Sequence, residues 1–297
     1  MESYFFTGKG GTGKTTIAAS LARQLAGSGR RTLLVSLDPA HSLSDIFSAE
    51  IRGKKKISSN LTVQEPDFDR ITEDYLRQQL GALRDMNRRL TAFNLDNLLD
   101  TLEYSPGQEE YAVILHLRRI LEGDGKEFDY IIFDTPPTGM VLRIFSLPFR
   151  SKIWLEKLVA LRKKIVDRRE LIGDIRKVED AQRYYGEDQV LGKLESLRSD
   201  YSALAEFFRE QARIFLVLNN DRLSLGESVR LRDKLGRMGI TFSGIIHNKF
   251  DRSAGTELFR EAGFDPRGMV RVEKLSENEA GEASLKVDLI KGLIHHE

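Results

Sequence analysis

Short apolar runs recur along the chain, separated by longer stretches in which apolar residues follow helical spacing. Runs of about 4–8 apolar residues bounded by turn residues are typical of strands buried in a parallel sheet. The predicted strands are residues 3–7, 31–37, 61–64, 130–133, 214–218, 244–247 and 269–272. A strand, a helix and a second strand within residues 3–37 form a βαβ unit, which requires a parallel sheet covered by helices. The pattern therefore predicts an α/β fold.

The stretches between these runs predict helices and their interruptions. Helices are expected over residues 14–26, 109–122, 225–238 and 283–294, with a mostly helical pattern over 71–121. A helix that starts at residue 140 is expected to be interrupted at Pro148, because proline cannot donate a backbone hydrogen bond. A long charged helical stretch over 153–211 is expected to break near Gly186 and Gly192. We predict one domain spanning residues 1–297, with helical insertions at about 68–122 and 149–211.

Composition excludes several classes of function. The chain has 46 basic and 45 acidic residues and a formal net charge of +1, so no bulk field favours nucleic acid or a membrane surface. The absence of cysteine excludes disulfides, thiolate catalysis, zinc–thiolate sites and iron–sulfur clusters. The longest apolar runs fall far short of the roughly 20 residues that span a bilayer, and the first residues do not resemble a signal peptide. We therefore expect a soluble cytoplasmic protein without a transmembrane segment.

A glycine-rich segment connects the first predicted strand to the first predicted helix. Residues 8–16 read Gly-Lys-Gly-Gly-Thr-Gly-Lys-Thr-Thr, which matches the P-loop pattern. Glycines let backbone N–H groups converge on phosphate oxygens, and the start of a helix adds its positive dipole end. Lys14 is expected to reach the β- and γ-phosphates of ATP and to support catalysis, and the Thr15 hydroxyl to bind Mg²⁺. The candidate ATP-binding residues of the loop are Gly8, Lys9, Gly10, Gly11, Thr12, Gly13, Lys14, Thr15 and Thr16.

Two aspartates follow predicted strands and are expected at the same sheet edge as the glycine loop. Asp38 follows the second strand, and we expect it to orient and activate the water that attacks the γ-phosphate. Its alternative role is the N-cap of a helix that starts at Pro39, because proline suits the first helical position. Asp134 ends an apolar strand, as in a Walker B motif, and is expected to face Mg²⁺ through a water. The residues expected to sense the γ-phosphate and move on hydrolysis are Thr135, Pro136, Pro137, Thr138 and Gly139.

These motifs together resemble one family of P-loop proteins. Lys-Gly-Gly-Thr-Gly-Lys-Thr, with its additional lysine Lys9, resembles the deviant Walker A motif. Residues 38–45 (Asp-Pro-Ala-His-Ser-Leu-Ser-Asp) and 134–139 (Asp-Thr-Pro-Pro-Thr-Gly) resemble the ArsA-type family of arsenite-pump and tail-anchored-protein targeting ATPases. Further similarity lies in residues 105–109, 223–227 and 245–248. The fold class that this implies is an α/β P-loop NTPase of the deviant Walker A class, with a mostly parallel sheet covered by helices.

The resemblance also implies roles for individual residues. Lys9 would reach across a homodimer interface to the partner's nucleotide, where a cation stabilises charge developing on the γ-phosphate. Asn248 would contact adenine. Asp221 stands where the family commonly has a nucleotide-contacting glutamate, but its side chain is shorter. The first switch would comprise Pro39, Ala40 and His41, and we assign no chemical role to His41.

Departures from the family pattern limit the choice of function. The chain has one ATPase half and no cysteine, so metalloid binding by thiolates and a zinc-held dimer are not expected. Residues 163–188 are dominated by charged side chains, which would make a poor apolar client groove.

Three functions are compatible with the motifs. The first is an Mg²⁺-dependent ATPase that binds ATP and ADP, whose dimer closure controls a client or membrane partner protein. The second is a nucleotide-gated binding module with little turnover. The third is a partition-type ATPase on DNA, for which the only support is basic clusters at residues 54–56 and 168–169, so no nucleic acid is expected.

Overall fold

The computed structural model describes residues 1–39, 43–86, 107–176, 188–251, 255–273 and 288–294. The chain folds into two compact units. The first comprises Met1–Ile144 and Gln211–Glu297, and the second comprises Phe145–Glu210. The predicted residues Ala40, His41, Pro106 and Gly186 lie outside the described residues, as do the apolar positions predicted between 87 and 106.

The first unit is built on one eight-stranded sheet, as the apolar runs predict. The strands are β1 (Glu2–Thr7), β2 (Thr32–Ser36), β3 (Gly53–Lys56), β4 (Leu61–Glu65), β5 (Tyr130–Asp134), β6 (Ala212–Leu218), β7 (Gly244–Phe250) and β8 (Met269–Glu273). Their order is β3-β4-β2-β5-β1-β6-β7-β8, and all neighbouring pairs are parallel except β3 and β4. β1 therefore lies inside the sheet between β5 and β6. The α/β fold class is confirmed.

Helices connect the strands. They are α1 (Lys14–Gly27), α2 (Leu43–Ile46), α3 (Phe68–Met86), α4 (Gln108–Arg119), α5 (Thr138–Arg176), α6 (Gln189–Glu206), α7 (Arg222–Gly236), α8 (Glu257–Glu261) and α9 (Leu289–Leu293). Single π turns, Ile120–Asp124 and Phe207–Gln211, follow α4 and α6, and the 3₁₀ turn Pro266–Gly268 precedes β8.

Successive side chains of β1 point to opposite faces of the sheet and contribute to the core on both. Tyr4 and Phe6 point to the face covered by α1, where the Tyr4 ring stacks on Phe215 of β6 with centroids 5.6 Å apart. Phe5 points to the other face and stacks on Phe133 of β5 at 4.4 Å. These rings are fully or almost fully buried, so aromatic packing holds the three central strands together.

One predicted helix break does not occur. Pro148 lies inside α5, which continues to Arg176, so the prediction of an interruption was wrong. Within the second unit, buried Phe145 packs on Phe208 with ring centroids 4.6 Å apart, and such packing outweighs the loss of one backbone hydrogen bond. By contrast, a new helix does start near Gly192, as predicted: Gly192 lies in the first turn of α6, whose N-cap Asp188 accepts a hydrogen bond from the Leu191 N–H.

The basic cluster at residues 54–56 is part of strand β3, which the apolar pattern does not predict. The strand lies at the edge of the sheet, and its residues Gly53–Lys56 are all exposed. Lysines on an edge strand discourage pairing with another chain. Lys54 also forms an ion pair with Glu127 at 2.8 Å. The edge position therefore gives these lysines a structural role that does not depend on binding nucleic acid.

Candidate active site

The three segments with candidate chemistry meet at the carboxyl edge of the sheet. In the strand register, Asp134 of β5 is level with Phe6 of β1 on one side and Ser36 of β2 on the other. The glycine loop follows β1 directly, and Asp38 follows β2 two residues after its end. This edge is where ligands bind in open α/β sheets.

Close contacts with neighbouring strands fix the path of the glycine loop. A Cβ atom on Gly8 would lie 2.1 Å from the Val217 carbonyl oxygen, so no other residue fits there. Gly13 has a φ of 89°, and a Cβ on it would lie 2.3 Å from Asn248 Nδ2. Within the loop, the Thr12 hydroxyl donates to the Lys9 carbonyl at 2.8 Å. The loop is therefore seated on β6 and β7, and α1 starts directly after it.

Lys14 is buried at the bottom of the loop. Its ammonium group donates to the Lys9 carbonyl oxygen at 3.4 Å. Burial lowers its pKa below the usual value, and the negative charges of Asp134, Asp38 and Glu227 oppose this effect. The same site therefore holds one buried cation with three acidic residues near it.

Asp134 is the most buried carboxylate of the site. Its side chain is 0% exposed, and neither carboxylate oxygen has a hydrogen-bond partner among the described residues. Burial raises its pKa from the usual 3.8 to about 7. The nearby Thr15 hydroxyl and Lys14 ammonium lower the pKa, and Asp38 raises it. A buried carboxylate whose oxygens are not fully hydrogen-bonded is suited to hold a cation.

This donor set fits Mg²⁺. The cation prefers hard oxygen ligands and commonly takes one or two from the protein, the others coming from phosphates and water. The Asp134 carboxylate and the Thr15 hydroxyl are oxygen donors of that kind. No cluster of three or more His, Cys, Asp or Glu suited to a metal occurs in the described part of the chain.

The first switch is positioned from both ends. The Leu37 N–H donates to the Asp134 carbonyl at 2.8 Å, and the Ser36 hydroxyl contacts the backbone of half-buried Asp38 at 3.2 Å. Pro39 is exposed and lies in a turn, and the next described helix, α2, starts at Leu43. Residues 40–42 lie outside the described residues, so the helix-capping alternative for Asp38 stays a prediction beside the catalytic one.

Glu65, at the end of β4, holds the other side of this switch, and the sequence did not indicate it. Its buried carboxylate accepts hydrogen bonds from the Leu43 N–H at 2.6 Å and from the Ser44 N–H and hydroxyl at 3.3 and 2.7 Å. A carboxylate at this position also suits the positive end of the helix.

The second switch lies against β1 and the glycine loop. The Thr135 hydroxyl donates to the Phe6 carbonyl at 2.8 Å. Pro136 is buried, and exposed Pro137 adjoins Gly10, whose Cβ would lie 3.9 Å from Pro137 Cγ. Thr138 and Gly139 begin α5. The Thr138 hydroxyl donates to Glu227 at 2.7 Å.

Glu227 links the switch to Lys14. The sequence marks it only as part of a family-like segment, because its partner Thr138 is 89 positions away. A carboxylate that contacts the switch threonine and favours the charged form of Lys14 is placed to respond to changes in either group.

Asn248 and Asp221 lie on the β6–β7 side of the site. Asn248 donates from Nδ2 to the Thr12 carbonyl at 2.7 Å, which uses one of the four hydrogen bonds that an amide side chain can make. Asp221 is the N-cap of α7 and accepts from the Ser224 N–H at 2.8 Å. The Asp221 carboxylate is therefore partly committed to holding the helix.

The parallel sheet, the strand-loop-helix unit and the two strand-end aspartates define a P-loop nucleoside triphosphatase. A family model described as anion-transporting ATPase matches residues 1–257. The chain therefore belongs to this ArsA-type family and is an ATPase.

Curated relatives agree with this membership. The chain is 32% identical to the putative arsenical pump-driving ATPase 2 of Aquifex aeolicus, over 84% of this chain and 80% of that protein. It is 30% identical to the putative arsenical pump-driving ATPase of Chlorobaculum tepidum, over 97% and 74% of the two chains. It is 32% identical to ATPase GET3B of Arabidopsis thaliana, over 83% of this chain and 63% of that protein. No helix among the described residues is long and apolar enough to cross a membrane.

The buried Asp134 carboxylate predicts a pH-dependent stability in the absence of Mg²⁺ and nucleotide. Its folded-state pKa of about 7 exceeds the unfolded value of 3.8, so stability falls as the pH rises from about 4 to 7. Asp134→Asn cannot ionise, so its stability advantage over the wild type should be larger at pH 8 than at pH 5 by roughly 2–3 kcal/mol. Urea unfolding at the two pH values measures this difference.

Asp124→Asn, which removes an exposed carboxylate, is the matched control and should show no such trend. A stability difference between Asp134→Asn and the wild type that is the same at both pH values would contradict the inferred pKa. Saturating MgADP should reduce the difference, because a bound cation favours the ionised carboxylate.

Proposed function

We propose that the chain hydrolyses Mg²⁺-bound ATP at the carboxyl edge of its sheet. The supporting observation is the convergence of buried Lys14, Thr15 and buried Asp134 beside a loop whose path leaves room only for glycine at Gly8 and Gly13. The loop amides and Lys14 hold the phosphates, with Thr16 beside them at the start of α1. Thr15 and, through a water, Asp134 hold the cation. When bound, Mg²⁺ neutralises charge on the β- and γ-phosphates.

Asp38 is the group that we assign to the attacking water. It is half-buried, follows β2 next to Asp134, and contributes to the electrostatics of Lys14. Hydrolysis of a γ-phosphate depends mainly on positioning, and one aimed carboxylate suffices to orient a water. The second switch, residues 135–139, would sense the γ-phosphate through its contact with the glycine loop and would move when the phosphate leaves.

Replacing Asp38 with asparagine should separate binding from turnover. Asp38→Asn keeps the size of the side chain but removes its negative charge, so we expect kcat to fall about 10²–10⁴-fold with little change in MgATP affinity. Phosphate release and equilibrium nucleotide binding measure the two quantities. Asp124→Asn, at the opposite edge of the sheet, should behave as the wild type. Unchanged turnover in Asp38→Asn would refute the catalytic assignment.

We further propose that the ATPase works as a homodimer in which Lys9 reaches the nucleotide of the partner protomer. Lys9 is half-buried through its backbone contacts, and its neighbours Gly10 and Gly11 are exposed, so this side of the loop is open to a second molecule. A cation supplied from outside the protomer can stabilise charge that develops in the transition state.

The dimer proposal predicts a nucleotide-dependent change in mass. Sedimentation of the wild type with Mg²⁺ and a non-hydrolysable ATP analogue should show a dimer, because Lys9 gains its partner only when nucleotide is bound. Lys9→Ala should shift the equilibrium to monomer and lower kcat. The matched control is Lys126→Ala, which removes a lysine at the other edge of the sheet. Lys249→Ala would not serve as a control, because Lys249 contacts the glycine loop. A wild type that stays monomeric, with unaltered kcat in Lys9→Ala, would exclude this role.

An exposed apolar face in the second unit supports control of a partner protein. Trp154, Leu161 and Ile165 are 62, 56 and 36% exposed. Their spacing of seven and four residues places them on one face of α5, which we call the α5 stripe. Most of the α5 stripe precedes residues 163–188, whose charged composition argued against a client groove. Large apolar side chains that share one exposed face are typical of protein-binding surfaces.

Trp154 is the only tryptophan of the chain, so its fluorescence reports directly on the α5 stripe. If nucleotide-driven closure controls this surface, an ATP analogue with Mg²⁺ should shift the Trp154 emission maximum and alter its quenching by acrylamide. The Trp154→Phe variant, which has no tryptophan, gives the background fluorescence to be subtracted. Emission that remains that of an exposed indole, in a sample that sediments as a dimer, would contradict nucleotide control of the α5 stripe.

A further inference from the structure

Two consecutive residues at the end of β7 hold two consecutive carbonyl groups of the glycine loop. Asn248 Nδ2 donates to the Thr12 carbonyl at 2.7 Å, and Lys249 Nζ donates to the Gly11 carbonyl at 3.0 Å. Asn248 is buried beneath the loop, whereas Lys249 is exposed. Side chains of β7 therefore contact the backbone of the loop at both of these peptide units.

The backbone of β7 departs from regular strand geometry where it makes this double contact. In a regular strand, successive side chains point to opposite faces of the sheet, so two neighbours do not reach the same loop. The pairing of β7 with β8 shifts register between His247 and Phe250, and Lys249 within this irregularity has a φ of 53°. A lysine in the left-handed region is strained, and backbone strain of this kind is concentrated at functional sites. The contact of Lys249 with the loop is thus maintained at a cost in backbone strain.

Holding a carbonyl group fixes the direction of the amide that follows it. In a trans peptide unit, the C=O of one residue and the N–H of the next residue point in opposite directions. The contacts from β7 to the carbonyls of Gly11 and Thr12 therefore turn the N–H groups of Thr12 and Gly13 away from β7. Both amides belong to the loop that is proposed to bind the phosphates.

The Thr12 amide and the Lys14 ammonium converge on one point, the Lys9 carbonyl oxygen. This oxygen accepts from the Thr12 N–H at 3.4 Å, from the Thr12 hydroxyl at 2.8 Å and from the Lys14 ammonium at 3.4 Å. The two contacts at 3.4 Å are longer than usual for hydrogen bonds from nitrogen to oxygen. A charged phosphate oxygen is a stronger acceptor for the same donors. The amide that Lys249 directs and the lysine that is proposed to bind phosphate thus face the same position.

We propose that Lys249 is a positioning residue for the nucleotide, which aims the loop amides at the phosphates by holding the Gly11 carbonyl. This inference rests on the proposed nucleotide site and adds to it a residue from outside the glycine loop. Because Lys249 acts on the backbone of the loop, its contribution does not depend on the base or the ribose. Removal of its ammonium group should weaken the binding of ATP, ADP and inorganic tripolyphosphate by a similar factor.

Substitutions that keep or remove the donor at position 249 test the proposal in the 297-residue chain. Equilibrium binding of MgATP, MgADP and magnesium tripolyphosphate is measured for each variant. Lys249→Met keeps the length of the side chain but cannot donate, so we expect it to lose roughly tenfold in affinity for all three ligands. Lys249→Arg keeps a charged donor and should stay within about threefold of the wild type. Lys126→Met, the same change at an exposed position before β5, is the matched control and should bind as the wild type does.

Lys249→Gly separates a role in binding from a role in stability. Glycine adopts a φ of 53° without strain, and this relief offsets the greater freedom that glycine gives the unfolded chain. The free energy of unfolding, measured in urea, should therefore stay close to that of the wild type, while affinity for the three ligands falls as in Lys249→Met. A loss of stability that accompanies the loss of affinity would assign Lys249 a structural role and overturn the inference.

Three binding results would also overturn the inference. The first is unchanged affinity in Lys249→Met, and the second is binding by Lys249→Arg that is as weak as in Lys249→Met. The third is a loss confined to MgATP and MgADP, because the lysine would then act on the base or the ribose. In each case, binding of MgATP by the wild type would still support the proposed function, whereas a wild type that binds none of the three ligands would refute that function itself.

Discussion

The close seating of the glycine loop on β6 and β7 is the constraint on which the site depends. The Gly8 backbone approaches the Val217 carbonyl so closely that a methyl group would overlap it, and Asn248 occupies the space where a side chain on Gly13 would lie. Backbone amides can form a phosphate cradle only where no side chain intervenes. Contacts with β6 and β7 thus fix the path of the loop, and its backbone amides are left to bind a ligand.

The second determinant is the pairing of a buried cation with buried carboxylates. Burial lowers the pKa of Lys14 and raises the pKa of Asp134, and each lowers the cost of the charge on the other. Asp134 nevertheless keeps an elevated pKa and oxygens without hydrogen bonds among the described residues. The unliganded site therefore retains an energetic cost, which a divalent cation and a triphosphate would relieve. This cost couples the stability of the protein to the presence of its ligand.

The sheet order places different groups on the two sides of the glycine loop. Asp38 and Asp134, the carboxylates proposed for phosphate chemistry, lie at the ends of β2 and β5, and β6 and β7 hold the loop from the other side. Glu227 on α7 connects the sides, because it contacts Thr138 of the second switch and favours the charged form of Lys14. Glu227 therefore joins Lys14 electrostatically to Thr138, the first residue of α5.

Local patterns in the sequence determined the α/β class, the loop between β1 and α1, and the positions of Asp38 and Asp134 at strand ends. These features depend on short-range periodicity and on the rule that parallel strands end at one edge. Only the tertiary structure decided that α5 continues through Pro148, that residues 53–56 form an edge strand, and that Glu227 meets Thr138. It also brought Lys249 to Gly11, across 238 positions of sequence. Packing and strand register make these contacts, and neither is encoded in the period of a single segment.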